Sequence, residues 1–197
     1  MDILTAVLDA NVLFPATLRD TLVRAGQRGI YRMQWTTEIL EEVRRNLVKT
    51  GRGTETQAQR LVDTLMMIFP LALMRDEYQS LIPIMQNHVK DRHVLAAAVA
   101  CKAQVIVTSN LHDFPRRALE PYSIEAQAPD RFLVNLCQEN VAELAQIINE
   151  QVADLRNPPQ TVEQELAHMG KIVPNFVQTI RDYLANSESA LNDCDTI

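Results

Sequence analysis

The sequence predicts an α/β protein: a parallel sheet flanked by helices, followed by a small C-terminal helical extension. Two short apolar runs, residues 3–8 and 104–108, have the length and unbroken hydrophobicity of strands buried on both faces. Helical stretches separate them, and that alternation closes most simply into a parallel sheet with helices on both sides. The chain has 197 residues, 47% hydrophobic and 22% charged, which is enough apolar material for a real core and too much for general disorder.

The first strand stops at Asp9. A helix follows over 17–28 with Gly29 as its stop, and residues 31–35 alternate like a second short strand. Thr36 and Thr37 cap a helix over 36–48 that carries Ile39, Leu40, Val43 and Leu47 on one face. Another helix runs over about 55–69 to Pro70, and the apolar residues 71–74 read as a strand. Asp91 opens an alanine-rich buried helix over 93–101, and the strand at 104–108 follows. Beyond about residue 128 helical spacing dominates. Arg156-Asn157-Pro158-Pro159 breaks it, Thr161 and Gln164 form a capping box, and Val173-Pro174 starts a last helix through Leu184. Residues 186–197 read as a frayed tail. The expected domains are 1–136 for the α/β unit and 137–197 for the extension.

No stretch of about 18 uncharged apolar residues is present, which excludes a membrane-spanning helix. The first residues lack a basic, then apolar, leader, so a cytoplasmic location is expected. Cys101, Cys137 and Cys194 are odd in number and widely spaced, a poor basis for disulfides or a thiolate zinc site. The net charge of −6 is uneven. Residues 1–128 hold 15 Lys+Arg against 14 Asp+Glu, and residues 129–197 hold 4 against 11. The acidity lies in the extension, which leaves the front half free to carry local basic patches.

In an open parallel sheet, chemistry collects beyond the carboxyl ends of the strands. The strands here run into Asp9-Ala10-Asn11 and into Thr108-Ser109-Asn110, with Asp113 just beyond. Asp91 starts the helix leading to the second of these, and Glu42 flanks the apolar stripe of the 36–48 helix. Each acid has an ordinary alternative. Asp9, Asp91 and Asp113 are good cap or turn residues, and Glu42 alone reads as a solvated helix carboxylate. Taken together, carboxylates converging on one crevice raise one another's pKa unless a cation neutralises them. Oxygen donors of this kind suit Mg2+ or Mn2+, ions that hold a phosphodiester oxygen and activate water for attack on phosphorus.

Four segments, VLDANVL at 7–13, ILEEV at 39–43, KDRHVLAAA at 90–98 and VIVTSNLHDFP at 105–115, together resemble a PIN domain. The likeness is to the branch holding the VapC-type toxins of bacterial toxin–antitoxin pairs, and it spans about residues 3–136. The segment around Asn157-Pro158-Pro159 resembles the C-terminal extension of some VapC-like proteins. The resemblance implies a three-layer α/β/α domain acting as a metal-dependent endoribonuclease, with Asp9, Glu42, Asp91 and Asp113 as catalytic metal ligands. Asn110 stands where many relatives have an acid, so either Asp113 takes that place or the ion keeps more water. Asn11, Thr108 and Asn110 are expected to orient the carboxylates by hydrogen bonding. Lys90 replaces an acid common in relatives and reads as neutral for catalysis. An RNA substrate and a proteinaceous antitoxin are the implied partners, and a homodimer is a further possibility.

Arg44, Arg45, Lys49 and Arg52 flank Glu42, while Lys90, Arg92, Arg116 and Arg117 flank Asp91 and Asp113. Of these, Arg45, Lys90, Arg92, Arg116 and Arg117 are the candidates for phosphate contacts, with Arg44 and Arg52 more plainly solvated helix residues. His93 and His112 read as packing or auxiliary residues. Two rival readings remain at this stage. A strand followed by Asp9 imitates haloacid-dehalogenase phosphotransferases, in which such an Asp is a nucleophile, but that chemistry wants an acid at Asn11. A catalytically inactive PIN module that binds RNA or a partner is the other.

Overall fold

The computed structural model describes residues 3–156 and 158–194, with only the backbone described over 188–194. Four parallel strands form one sheet: β1 (Thr5–Leu8), β2 (Arg32–Gln34), β3 (Val105–Val107) and β4 (Glu125–Gln127), in the order β2-β1-β3-β4. Register is fixed by Ala6 opposite both Met33 and Val105, and by Ile106 opposite Ala126. Every residue of β1 and β3 is buried, which is why both read as continuous apolar runs. The α/β class expected from the sequence is the one observed.

Two compact units divide the chain. The first comprises residues 1–19 and 31–128, the second 20–30 and 129–197. In the first unit, α1 (Ala10–Leu13) follows β1 directly, and the N-terminal end of α2 (Ala16–Gln27) comes next. Helix α3 (Thr37–Lys49) is started by the buried Thr36 hydroxyl, which accepts from the Ile39 N–H at 3.1 Å, and it buries Ile39, Leu40 and Val43. Helix α4 (Glu55–Ile68) opens with a Thr54/Gln57 capping box. Helix α5 (Arg92–Ala100) buries His93, Val94, Leu95 and three alanines as it packs on β1, β3 and the 3-10 segment Asp76–Ile84. Small side chains let that helix approach the sheet closely. The short α6 (Arg116–Leu119) lies between β3 and β4 in sequence.

The second unit holds residues 20–30 with α7 (Pro129–Asp154), α8 (Val162–Met169) and α9 (Pro174–Cys194). The expected 136/137 division falls inside α7. The unit's core includes Leu22, Phe132, Leu133, Leu144, Ile147, Ile148, Phe176 and Ile180. Arg24 bridges Asp20 and Asp154, and Arg28 reaches Glu150. Asp130 accepts from the Phe176 N–H at 2.9 Å and so caps the start of α9 from another helix. The Thr161/Gln164 capping box forms as expected. Gly29 closes α2 with φ +75°, donating to Gly26 while Ile30 donates to Ala25, a left-handed stop that suits glycine.

Three local expectations are corrected. Residues 71–74 are not a strand: Trp35 and Leu73 make an isolated parallel bridge, through Trp35 N–H to Ala72 O and Met74 N–H to Trp35 O, both 2.9 Å. Leu71 is 91% exposed, so the run lacks the burial that sustains pairing. Of the tail expected over 186–197, residues 186–194 do not fray but stay helical to Cys194, in a stretch without Gly or Pro to stop it, and residues 195–197 lie outside the described residues. Finally, β4 was not expected, because Glu-Ala-Gln offers no apolar run; its backbone pairing with β3 makes the strand.

Candidate metal centre

The strand order changes direction between β1 and β3: the chain leaves β1 for β2 on one side, while β3 and β4 lie on the other. The crevice outside the carboxyl ends of these two strands is therefore the topological switch point of the sheet. Asp9 stands at the end of β1 and Thr108 at the end of β3. The Asp9 N–H still donates to Val107 O at 3.1 Å, and the Thr108 N–H to Gln127 O at 3.0 Å, so both positions are fixed by sheet backbone.

Asp9 occupies the position before α1 but makes no cap bond with its side chain. Its carboxylate instead accepts from the Thr108 hydroxyl at 2.7 Å and from Asn11 Nδ2 at 2.5 Å. Asn11 also donates to Thr108 Oγ1 at 3.0 Å and accepts from the Ser109 N–H at 2.9 Å. The backbone N–H of Asn110 completes the loop by donating to Thr108 Oγ1 at 3.0 Å. Asn11, Thr108 and Asn110 thus form one network that locks Asp9 across the β1–β3 gap. Asn11 is an amide committed to this network and carries no proton for acid–base exchange, which removes the feature a phosphoaspartate mechanism would need.

Asp91 likewise precedes its helix without capping it. Its Oδ2 lies 3.2 Å from His88 Nδ1, and Asp113 Oδ1 lies 3.9 Å from the same nitrogen. These three donors stand within 4.8 Å of one another. Asp113 is buried in a 3-10 turn (Leu111–Asp113), whereas Asn110 is exposed, so of the two it is Asp113 that reaches the Asp91 carboxylate. Glu42, on α3, has Oε1 3.9 Å from His93 Nε2 and 4.0 Å from Arg45.

Electrostatics ties the two groups of acids together. Burial pushes the Asp9 carboxyl above its ordinary range, the Thr108 hydrogen bond pulls it back, and the Asp91 charge pushes it up again. Glu42 is also raised, by burial first; His93 eases it, and Asp9 and Asp91 oppose its ionisation. The Asp91 charge therefore bears on both Asp9 and Glu42, whereas the donors that stand within reach of a single ion among the described residues are His88, Asp91 and Asp113; Asp9 and Glu42 are not part of that group. His93 is 4% exposed, and its Nε2 has no hydrogen-bond partner. Two carboxylates held partly against their own ionisation, Asp9 and Glu42, with an unsatisfied imidazole nitrogen against Glu42 and the His88–Asp91–Asp113 donors grouped together, fit a divalent cation.

The basic residues sort by environment. Arg44 is committed to Glu41 and Glu55, and Arg52 lies over the Phe14 ring at 4.7 Å. Arg45 approaches Glu41 and Glu42, and Arg116 pairs with Glu120 at 3.3 Å. Lys90 and Arg117 are exposed, and Arg92 is half-buried with an unpartnered Nε. His112 is 80% exposed at its side chain, 3.1 Å from Asp113. The residue missed from sequence was His88; its signal was a His three residues ahead of Asp91, a spacing that one turn of helix or 3-10 chain folds onto a common side.

Residues 5–112 match the PIN domain model, so the chain belongs to the PIN domain family. Residues 129–182 match a second model, the VapC50 C-terminal domain. Over 104 residues, 53% of this chain, it is 44% identical to a Mycobacterium tuberculosis (strain ATCC 25618 / H37Rv) protein described as "Putative ribonuclease VapC50"; the match spans 62% of that protein's length. No solved structure matches the chain. No helix among the described residues is long and apolar enough to cross a membrane.

Proposed function

We propose that this protein is a divalent-metal-dependent endoribonuclease, the toxin of a type II toxin–antitoxin pair, acting in the cytoplasm. The observation that supports the reading is Asp9 at the β1–β3 switch point, held by the Thr108 hydroxyl and Asn11, together with the His88–Asp91–Asp113 donor cluster, whose Asp91 charge bears on both Asp9 and Glu42. The similarity to a protein named as a ribonuclease supports the same chemistry.

In this reading Asp9, Glu42, Asp91 and Asp113 hold Mg2+ or Mn2+. The ion, when bound, supplies charge neutralisation at the scissile phosphate and an acidified water. Asn11 and Thr108 keep the Asp9 oxygens in place, so no reorganisation is needed when substrate arrives. Lys90, Arg92 and Arg117 hold flanking phosphates, and Arg45 and Arg116 join them once RNA competes for their carboxylate partners. A proteinaceous antitoxin restrains the enzyme by covering or distorting this crevice.

The test is expression without any co-expressed neighbour. Wild type arrests growth and leaves new RNA 5′ ends at defined positions, whereas Asp9→Asn and Asp91→Asn do neither. Equal toxicity of wild type and Asp9→Asn, with no new RNA ends, contradicts the nuclease reading.

A further inference from the structure

We propose that His88 is a nitrogen ligand of this metal centre, and that it tilts the site toward Mn2+ over Mg2+. The proposal rests on the metal-dependent reading above and adds to the carboxylate set a residue of a different donor class. Its first support is how the chain builds the cluster. Asn87, buried to 5% exposure, donates from Nδ2 to Asp91 O at 2.9 Å. The Asp91 N–H donates to His88 O at 2.9 Å, and the His88 N–H donates to Asp113 O at 3.0 Å. Three backbone-directed bonds thus bring His88, Asp91 and Asp113 together, whatever their side chains do. An ordinary surface ion pair has no such scaffold.

Distance is the second support. Donor atoms on adjacent and opposite vertices around a small octahedral cation stand about 3 and 4 Å apart, as follows from metal–ligand distances near 2.1 Å. His88 Nδ1 is 3.2 Å from Asp91 Oδ2 and 3.9 Å from Asp113 Oδ1. The side chain is about half exposed, and Nδ1 is the nitrogen that faces both carboxylates. Independently of this cluster, the buried and unpartnered Nε2 of His93 lies against Glu42 in the adjoining crevice, as it would where a ligand completes the polar contacts.

Chemistry then sets the preference. Mg2+ takes oxygen donors and gives up water reluctantly, whereas first-row transition ions gain from imidazole. A site of carboxylates alone gives little reason to choose; one imidazole in the set gives a reason. His112 also approaches Asp113, but it is far more exposed, and neither Asp91 nor Asp113 is tied to its backbone by the bonds that hold His88.

The experiment is pulsed electron paramagnetic resonance of Mn2+ added to the full-length protein, with parallel calorimetric titrations of Mn2+ and Mg2+. Expected is a directly coordinated 14N coupling in wild type and in His112→Gln that disappears in His88→Gln. The Mn2+ affinity of His88→Gln falls about tenfold or more while its Mg2+ affinity moves less. Bound Mn2+ with no 14N coupling in wild type, or a coupling that survives in His88→Gln, overturns the His88 proposal and leaves the carboxylate centre standing. No Mn2+ binding in wild type or either variant overturns both. Matching circular dichroism and melting curves across the variants keep a folding defect from being read as lost coordination.

Discussion

At Asp9, burial opposes ionisation, the Thr108 hydroxyl favours it, and the neighbouring Asp91 charge opposes it again. The net is a carboxyl raised above 3.8 in the folded protein. The sign of the consequence follows by linkage: the folded state binds this proton more tightly than the unfolded chain, so the stabilisation is full below the ordinary value and is lost as pH rises through the folded one. Asp9→Asn keeps an oxygen acceptor for Thr108 and Asn11 without the charge. Thermal melts in chelator are therefore expected to show Asp9→Asn more stable than wild type at neutral pH, the gap closing as pH falls toward 4, even though cleavage is abolished. A lower melting temperature for Asp9→Asn throughout would mean that burial of the charged carboxylate, with the Asp91 charge beside it, is not what costs the metal-free site stability. Thr108→Val removes the donor to Asp9 and the acceptor for Asn11 and Asn110. It is expected to cost about 1–3 kcal/mol in denaturant unfolding and to move the acid limb of the cleavage profile to higher pH. The four acids stood out as candidates in the sequence: Asp9, Asp91 and Asp113 lie just beyond a strand or just before a helix, and Glu42 flanks the apolar stripe of its helix. His88 did not, because its partnership with Asp113 depends on a backbone bond across 25 positions that no local pattern announces.

Among the elements, α5 does the positioning: it is anchored on β1 and β3, and Asp91 stands immediately before its first residue. Ala96 and Ala97 are fully buried there. Ala96→Leu is expected to overpack that contact by about 1–3 kcal/mol and to weaken Mn2+ binding, read by calorimetry, by shifting Asp91. Unaltered metal affinity in a destabilised variant would separate helix packing from the site. On α3, Thr36→Ala removes the cap that starts the helix carrying Glu42, at an expected cost of about 1–2 kcal/mol. Elements with strong local signals, such as the Thr36 and Thr161 caps and the two buried strands, were readable from the sequence. Strand β4 and the isolated Trp35–Leu73 bridge were not: β4 is polar yet paired, while the apolar run 71–74 leaves Leu71 exposed and pairs through that single bridge, and in both the neighbouring backbone decides.

For the whole molecule, the charge division places 11 of the 25 acidic residues in 129–197, away in sequence from the site acids and from the bases that flank them. An overall charge of −6 disfavours a polyanion, so RNA affinity must come from local contacts and be steeply salt-dependent. Lys90→Ala and Arg117→Ala are each expected to reduce the log–log salt slope of RNA binding by about 0.7, without altering the metal affinity. An unchanged slope removes that residue from the phosphate path. The α/β architecture and the helical extension were visible in the periodicity, and what the sequence did not show was where one compact unit passes to the other, since residues 20–30 join the second unit from the middle of the first. The most direct test of the central claim is cleavage of a single-stranded RNA by purified protein, with Mg2+ or Mn2+ or with chelator, for wild type and Asp9→Asn. The account predicts cleavage only by wild type and only with metal; cleavage that persists in chelator or in Asp9→Asn contradicts it.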